Sequence, residues 1–390
     1  MKRITGPGLR AYHRAGFVAV ALAAAAAVPG AIAAQAAVDL GQFERCTGCG
    51  VALSEVAVLG DAEGAGALEG MNHRVHFGTD GEIIVIRVGG ATIQFYDRDG
   101  GFRRSSGRRG GGPGEFQHIH GSQVADSSLW IADPGQSRLV RLDLEGRHLR
   151  THAGPFGGEP FPFIVRSDGT AVFARMDGDP DRIGYPLHVV DLETRSIVKS
   201  TGSVDGRFVP GSRFETHYRN APLPGDPDRV WLARASEPRF ELWNLETGEH
   251  ERTMSGMFAW FPKPEHDFDG RSDPPAQLLE FLFDDEDRLW MLTQVPNPRW
   301  RDFVELTPGG EHAFRMLDPD PANLWDVRVD VFDPGTGQHF EGPRWNELGV
   351  GMVAHEGGVH LFRTVLDEES LSVRLHLYQA EPTEVGATGR

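Results

Sequence analysis

The chain has 390 residues, of which 39 are basic and 56 acidic, for a formal charge of −17. So acidic a surface repels phosphate backbones and anionic lipid heads, which excludes nucleic acid and membrane surfaces as partners. With 49 Gly and 26 Pro, turns are frequent and long helices are not expected.

At the N-terminus, Lys2, Arg3, Arg10 and Arg14 precede an apolar run from Gly16 to Val28. Pro29-Gly30 breaks that run, and Ala31-Ile32-Ala33 and Ala34-Gln35-Ala36 follow, both matching the small-residue rule for cleavage. Residues 1–36 are therefore expected to be a secretory signal peptide, too short in its apolar part to span a bilayer. Its removal takes away four positive charges and no negative ones, moving the net charge from −17 to −21. No other segment reaches the ~18 apolar residues of a spanning helix. The mature protein is expected to be periplasmic or secreted, soluble, monomeric and without an integral membrane segment.

Residues 37–50 form a leader that carries Cys46-Thr47-Gly48-Cys49. Gly50 stands where a c-type haem motif needs His. Two cysteines fall short of a closed zinc shell, and Val51 onward reads as a strand rather than the helix of a thioredoxin motif. In an oxidising compartment the leading expectation is a structural disulfide. A redox or metal role and free thiols are the alternatives.

From residue 51 a short apolar pattern recurs: Ile83 to Ile86, Leu129 to Ala132, Ala171 to Ala174, Val230 to Ala233, Leu289 to Leu292 and Val359 to Phe362. Each copy is followed by a second strand, often ending in Asp or Asn before a Gly turn, as in Leu139 to Asp143 before Glu145-Gly146. Units of about 40 to 60 residues with several short strands are propeller blades. The sequence thus predicts an all-β, six-bladed β-propeller over residues 51–380, with 381–390 as a C-terminal tail. The sixth unit runs out of chain before its fourth strand, and Val51 to Leu59 is expected to supply it and close the ring, leaving no open sheet edge there. Pro296 to Asn323 reads as an insertion in the fifth unit.

Residues Gly107 to Phe116 (GRRGGGPGEF), directly after Phe95 to Phe102 (FYDRDGGF), resemble NHL-type six-bladed propellers, above all an exported bacterial group. The resemblance spans roughly residues 51–380 and implies a binding scaffold. Some six-bladed propellers are instead gluconolactonase-like, metal-dependent hydrolases, and no stretch here matches their ligand motifs.

Candidate chemistry is sparse. The glycine-rich loop lacks the Gly-Lys-Ser/Thr of a P-loop and reads as an inter-blade turn. The acidic clusters at 177–181 and Asp284 to Asp287 lack EF-hand spacing and read as solvated turns. Trp130, Trp231 and Trp290 hold equivalent strand positions and are expected between blades. The central channel, where innermost strands converge, is the expected site. Alignment of the repeats places Arg74, His120 and Glu280 at one inner-strand layer and His76 two residues further on, with His118 on the face of His120 and His217 before the fourth inner strand. His120 with Glu280 is the sharpest acid–base or metal-binding pair. Trp300, Trp325 and Trp345 in longer loops are expected to be exposed ligand-binding aromatics. The function expected is a non-enzymatic binding module for a protein, peptide or glycan. The alternative is a hydrolase or lyase holding a divalent metal in its channel, and no cofactor is assigned.

Overall fold

The computed structural model describes residues 37–154, 163–175, 181–182, 184–203, 217–262, 268–307, 314–318, 320–347, 349–356, 358–367 and 369–384. The expected signal segment, most of the 177–181 cluster and residues 385–390 lie outside them.

Six antiparallel sheets of four ring strands each follow one another along the chain. Blade 1 is built from His73–Phe77, Ile83–Arg87, Ile93–Tyr96 and Phe102–Ser106, and blade 2 from Gly121–Ala125, Ser128–Asp133, Arg138–Asp143 and His148–Ala153. Blade 3 holds Phe163–Val165, Thr170–Ala174, Leu187–Asp191 and Ser196–Thr201; blade 4 holds Tyr218–Leu223, Asp226–Arg234, Arg239–Asn244 and His250–Ser255. Blade 5 uses Gln277–Phe283, Leu289–Pro296, Trp325–Asp333 and Gln338–Trp345. Blade 6 uses Val350–His355, Gly358–Asp367 and Ser372–Glu384, and takes its outer strand, Cys49–Leu59, from the N-terminus. Each innermost strand packs on that of the next blade, and the sixth packs on the first. The chain is a six-bladed β-propeller whose ring is closed by an N-terminal strand.

The second strand of every blade is the apolar repeat, apolar on both faces because each face meets a neighbouring blade. Ile84, Ile86 and Phe95 of blade 1 pack with Leu129, Ile131 and Leu142 of blade 2. Val75 and Val85 pack with Leu375 and Leu377 of blade 6. Trp231 and Trp290 are fully buried, with Trp231 stacked on Phe283 of the next blade at 4.7 Å. Such inter-blade layers supply most of the burial, at ~25 cal/mol per Å² of apolar surface. The Asp284 to Asp287 segment is a turn with Asp285, Glu286 and Asp287 exposed, but its first residue is not solvated. Asp284 is buried and accepts from the Trp290 indole N–H at 2.8 Å, from Arg288 and from two backbone amides.

The glycine-rich loop is pinned by its own neighbours. Gln136 and the buried Arg138 donate to the Gly110 and Gly111 carbonyls, at 3.0 and 3.3 Å. The Glu115 carboxylate already occupies the Gly112 amide at 2.8 Å, where a phosphate would otherwise bind. Arg138 is neutralised by the fully buried Asp133, also at 3.3 Å.

The leader is part of the ring rather than a free arm. Val38–Asp39 pairs in parallel with Met254–Ser255 on the outer strand of blade 4, and Glu44–Arg45 with Gln338–His339 on that of blade 5. Between them Leu40 is 1% exposed in the main core, and Phe43 meets Phe332 edge-on at 5.9 Å. A disulfide joins Cys46 to Cys49, the first residue of the blade 6 outer strand. One short segment thus belts three successive blades and covers two otherwise open edges. At the other end the last strand continues to Glu384, so the sheet includes four residues of the expected tail. Leu40→Ala should lower the unfolding free energy by about 3 kcal/mol, the order for a buried leucine. Urea denaturation measures it, and a change near zero would show the belt to lie outside the cooperative unit.

Candidate functional site

Inner strands bury only their two blade-facing sides, so their channel edge is free to carry polar groups. Every inner strand starts on the same face of the ring, and the backbone register defines its layers. Opposite the fourth residue of the apolar repeat stand Arg74, Gly121, Arg219, Glu280 and Gly351, in blades 1, 2, 4, 5 and 6. One residue further along come Val75, Ser122, Phe163, Asn220, Phe281 and Met352. They surround a cavity of about 520 Å³, within the range of small-molecule sites.

At its entry Arg74 Nη1 donates to Glu280 Oε1 at 3.2 Å, and Glu280 Oε2 accepts from the Met352 amide at 3.3 Å. This contact crosses the inner strand of blade 6, where Gly351 offers no side chain. Both charges stay partly solvated, with 38% and 29% of the side chains exposed, so the pair is worth little to stability. Below them His76 Nε2 lies 2.7 Å from Ser122 Oγ of the next blade. Burial, helped by the Arg74 cation, pushes His76 down to about 3, so the ring is neutral at physiological pH. At the far end the Phe77 and His355 rings stack at 4.0 Å, and burial lowers His355 as well.

Asn220 is the anomaly of the wall. It is 8% exposed, and neither its Oδ1 nor its Nδ2 has a hydrogen-bond partner among the described residues. A buried amide without partners costs of order 1–3 kcal/mol.

The structure thus brings Arg74, His76 and Glu280 together and leaves out the other three candidates. His118 and His120 lie in the link that precedes the blade 2 inner strand, with rings 5.1 Å apart, and His217 is exposed in the link before blade 4. None of the three lines the cavity. The expected alignment slips by one residue in blade 2, so Gly121 holds the position expected for His120. The His120–Glu280 pair does not form, because His120 lies in the link before blade 2 and outside the cavity that Glu280 lines. Trp300 is not an exposed aromatic. It is 2% exposed, donates from its indole to Asp273 at 3.1 Å, and packs with Phe268, while Phe268 in turn meets Phe314, all around the blade 5 insertion. Trp325 is half-buried and donates to the Pro275 carbonyl, and half-buried Trp345 rests on the main core. Among the described residues no three His, Cys, Asp or Glu side chains come together as a metal-holding group. Among them, too, no helix is long and apolar enough to cross a membrane.

The ring and its polar channel place the chain in the class of six-bladed β-propellers. Among solved structures it is similar to an exported-protein candidate from Bacteroides fragilis, at 12% identity and a TM-score of 0.58, covering 86% of this chain and 98% of that one. It is also similar to a member of the DUF4221 family from Bacteroides vulgatus, at 9% identity and a TM-score of 0.55, covering 86% and 100%. These likenesses are of fold. No family model and no curated protein sequence matches the chain.

His73, buried against Thr364, is likewise pushed down by burial, to about 4. Both histidines bind a proton near pH 6.5 when unfolded and much lower when folded, so the unfolded state gains protons first as pH falls. Stability should be complete above pH 6.5 and decline below it by about 1.4 kcal/mol per pH unit for each histidine. Urea titrations at pH 7.5 and 5 should show the loss, and it should shrink in His76→Gln. An unchanged slope in that variant would show that His76 is protonated in the fold.

Proposed function

We propose that the mature chain is an exported, monomeric, non-enzymatic binding module of the NHL-like type, whose ligand occupies the central channel. The observation that carries this reading is the open cavity of about 520 Å³ with the unpartnered Asn220 amide in its wall. An amide kept unpaired at a cost to stability is explained if a ligand completes it. Export is supported by the basic, apolar and Ala-x-Ala segments of residues 1–36 and by the Cys46–Cys49 disulfide. A binding rather than a catalytic role is supported by the engagement of Glu280 with Arg74 in an ion pair at 3.2 Å.

The mature protein is incubated with a cell-envelope extract, re-isolated and denatured, and the released compounds are identified by mass spectrometry. Ala354, an exposed alanine of the channel wall, is replaced in a second sample. Ala354→Trp should reduce retention by about tenfold or more, equivalent to ~1.4 kcal/mol, with an unchanged melting temperature. Equal retention in the two proteins would place the ligand elsewhere, and conversion of the retained compound into a product would make the protein an enzyme.

A further inference from the structure

We propose that the channel ligand is a zwitterion of the α-amino-acid kind, with an ammonium and a carboxylate on one carbon and an apolar side chain. This rests on the channel reading above and names what the channel takes. At the entry a cation and an anion stand side by side, Arg74 and Glu280, 3.2 Å apart. One residue deeper along the inner strands, Asn220 belongs to the cavity lining and keeps one donor and one acceptor unpaired, both covered within the wall. The Arg74–Glu280 pair is itself neutral, and the cavity lining carries one further acid, Asp285.

A ligand with a single charge gains at one partner what it loses at the other. A carboxylate drawn to Arg74 is repelled by Glu280, and by a mature surface near −21. An amine drawn to Glu280 is repelled by Arg74. A group bearing both charges on adjacent atoms meets opposite charge at each end, its carboxylate on Arg74 and its ammonium on Glu280. Arg74 retains Nε and Nη2 for this, since among the described residues only Nη1 is engaged. Turned from the wall toward the cavity, the Asn220 amide complements the same group, with Nδ2 donating to the carboxylate and Oδ1 accepting from the ammonium. The assignment does not depend on which way the amide is turned, because both its atoms lack partners. Beyond the entry pair, Phe77, Ile164, Leu282 and Val353 also line the cavity, which suits a hydrocarbon or aromatic side chain.

Titration calorimetry of the mature protein with L-phenylalanine and L-leucine tests the proposal. The comparison probes are 3-phenylpropanoate, which lacks the ammonium, and 2-phenylethylamine, which lacks the carboxylate. At least one amino acid should bind, and each analogue should bind about tenfold or more weakly than L-phenylalanine. Asn220→Leu, nearly isosteric, should weaken amino-acid binding by about tenfold. Its melting temperature should hold or rise, since an apolar group replaces an unpaired amide. A merely structural asparagine would give the opposite pattern, with lower stability and unchanged affinity. The proposal is overturned if either analogue binds as tightly as L-phenylalanine, if neither amino acid binds, or if Asn220→Leu binds undiminished. Should both amino acids fail while Ala354→Trp still abolishes retention from the extract, the zwitterion is wrong and the channel site stands. Should Ala354→Trp leave retention unchanged, the channel site itself is wrong.

Discussion

Everything in this molecule depends on one long-range pairing, that of Cys49–Leu59 with Ser372–Glu384. The partners are far apart in sequence, 321 positions in the case of Glu55 and His376. The entropy of closing a loop rises only with the logarithm of its length, so this distance is thermodynamically modest. What closure provides is geometric. Until blade 6 is complete, its inner strand is not held between blades 5 and 1, and Arg74 has no fixed position relative to Glu280. The Leu40 belt lies immediately upstream of the closing strand and the disulfide ties its first residue, and together they hold it from outside the ring.

The channel inherits its character from that arrangement. Inter-blade faces take the apolar residues, because each is buried against a neighbour. The inner edges are left to polar groups, which face a shared cavity instead of a core. Most are satisfied within the wall: His76 by Ser122, Glu280 by Arg74 and Met352, and Gln123 by the Val165 amide. Asn220 is the exception. A fold stabilised by many buried inter-blade contacts tolerates one unpaired amide, and such local losses concentrate where proteins bind.

The blades were legible because their second strands are buried on both faces and so read as short, uninterrupted apolar runs. Closure was legible because the last unit lacked a strand and Val51 to Leu59 was spare. The inner strands were harder. They mix channel-facing polar and blade-facing apolar residues, and Leu278 to Glu280 contains a bulge, so sequence offsets between blades do not carry over as structural layers. A one-residue slip then moved His120 out of the channel. Trp300 looked exposed because it sits in an insertion, but the insertion builds its own small core with Phe268 and Phe314. The belt at Val38–Asp39 and Glu44–Arg45 is too short for any periodic pattern. Asn220 gave no signal, since an unpaired amide is a property of its surroundings and not of its neighbours in sequence.

The most direct measurement is a crystal structure of the mature protein at a resolution that places solvent and the Asn220 amide. The account predicts a closed ring with Arg74 facing Glu280, and a ligand or ordered water in the channel within hydrogen-bonding distance of both Asn220 Oδ1 and Nδ2. An Asn220 amide turned into the wall and paired with protein groups, beside a channel filled by side chains, would contradict it.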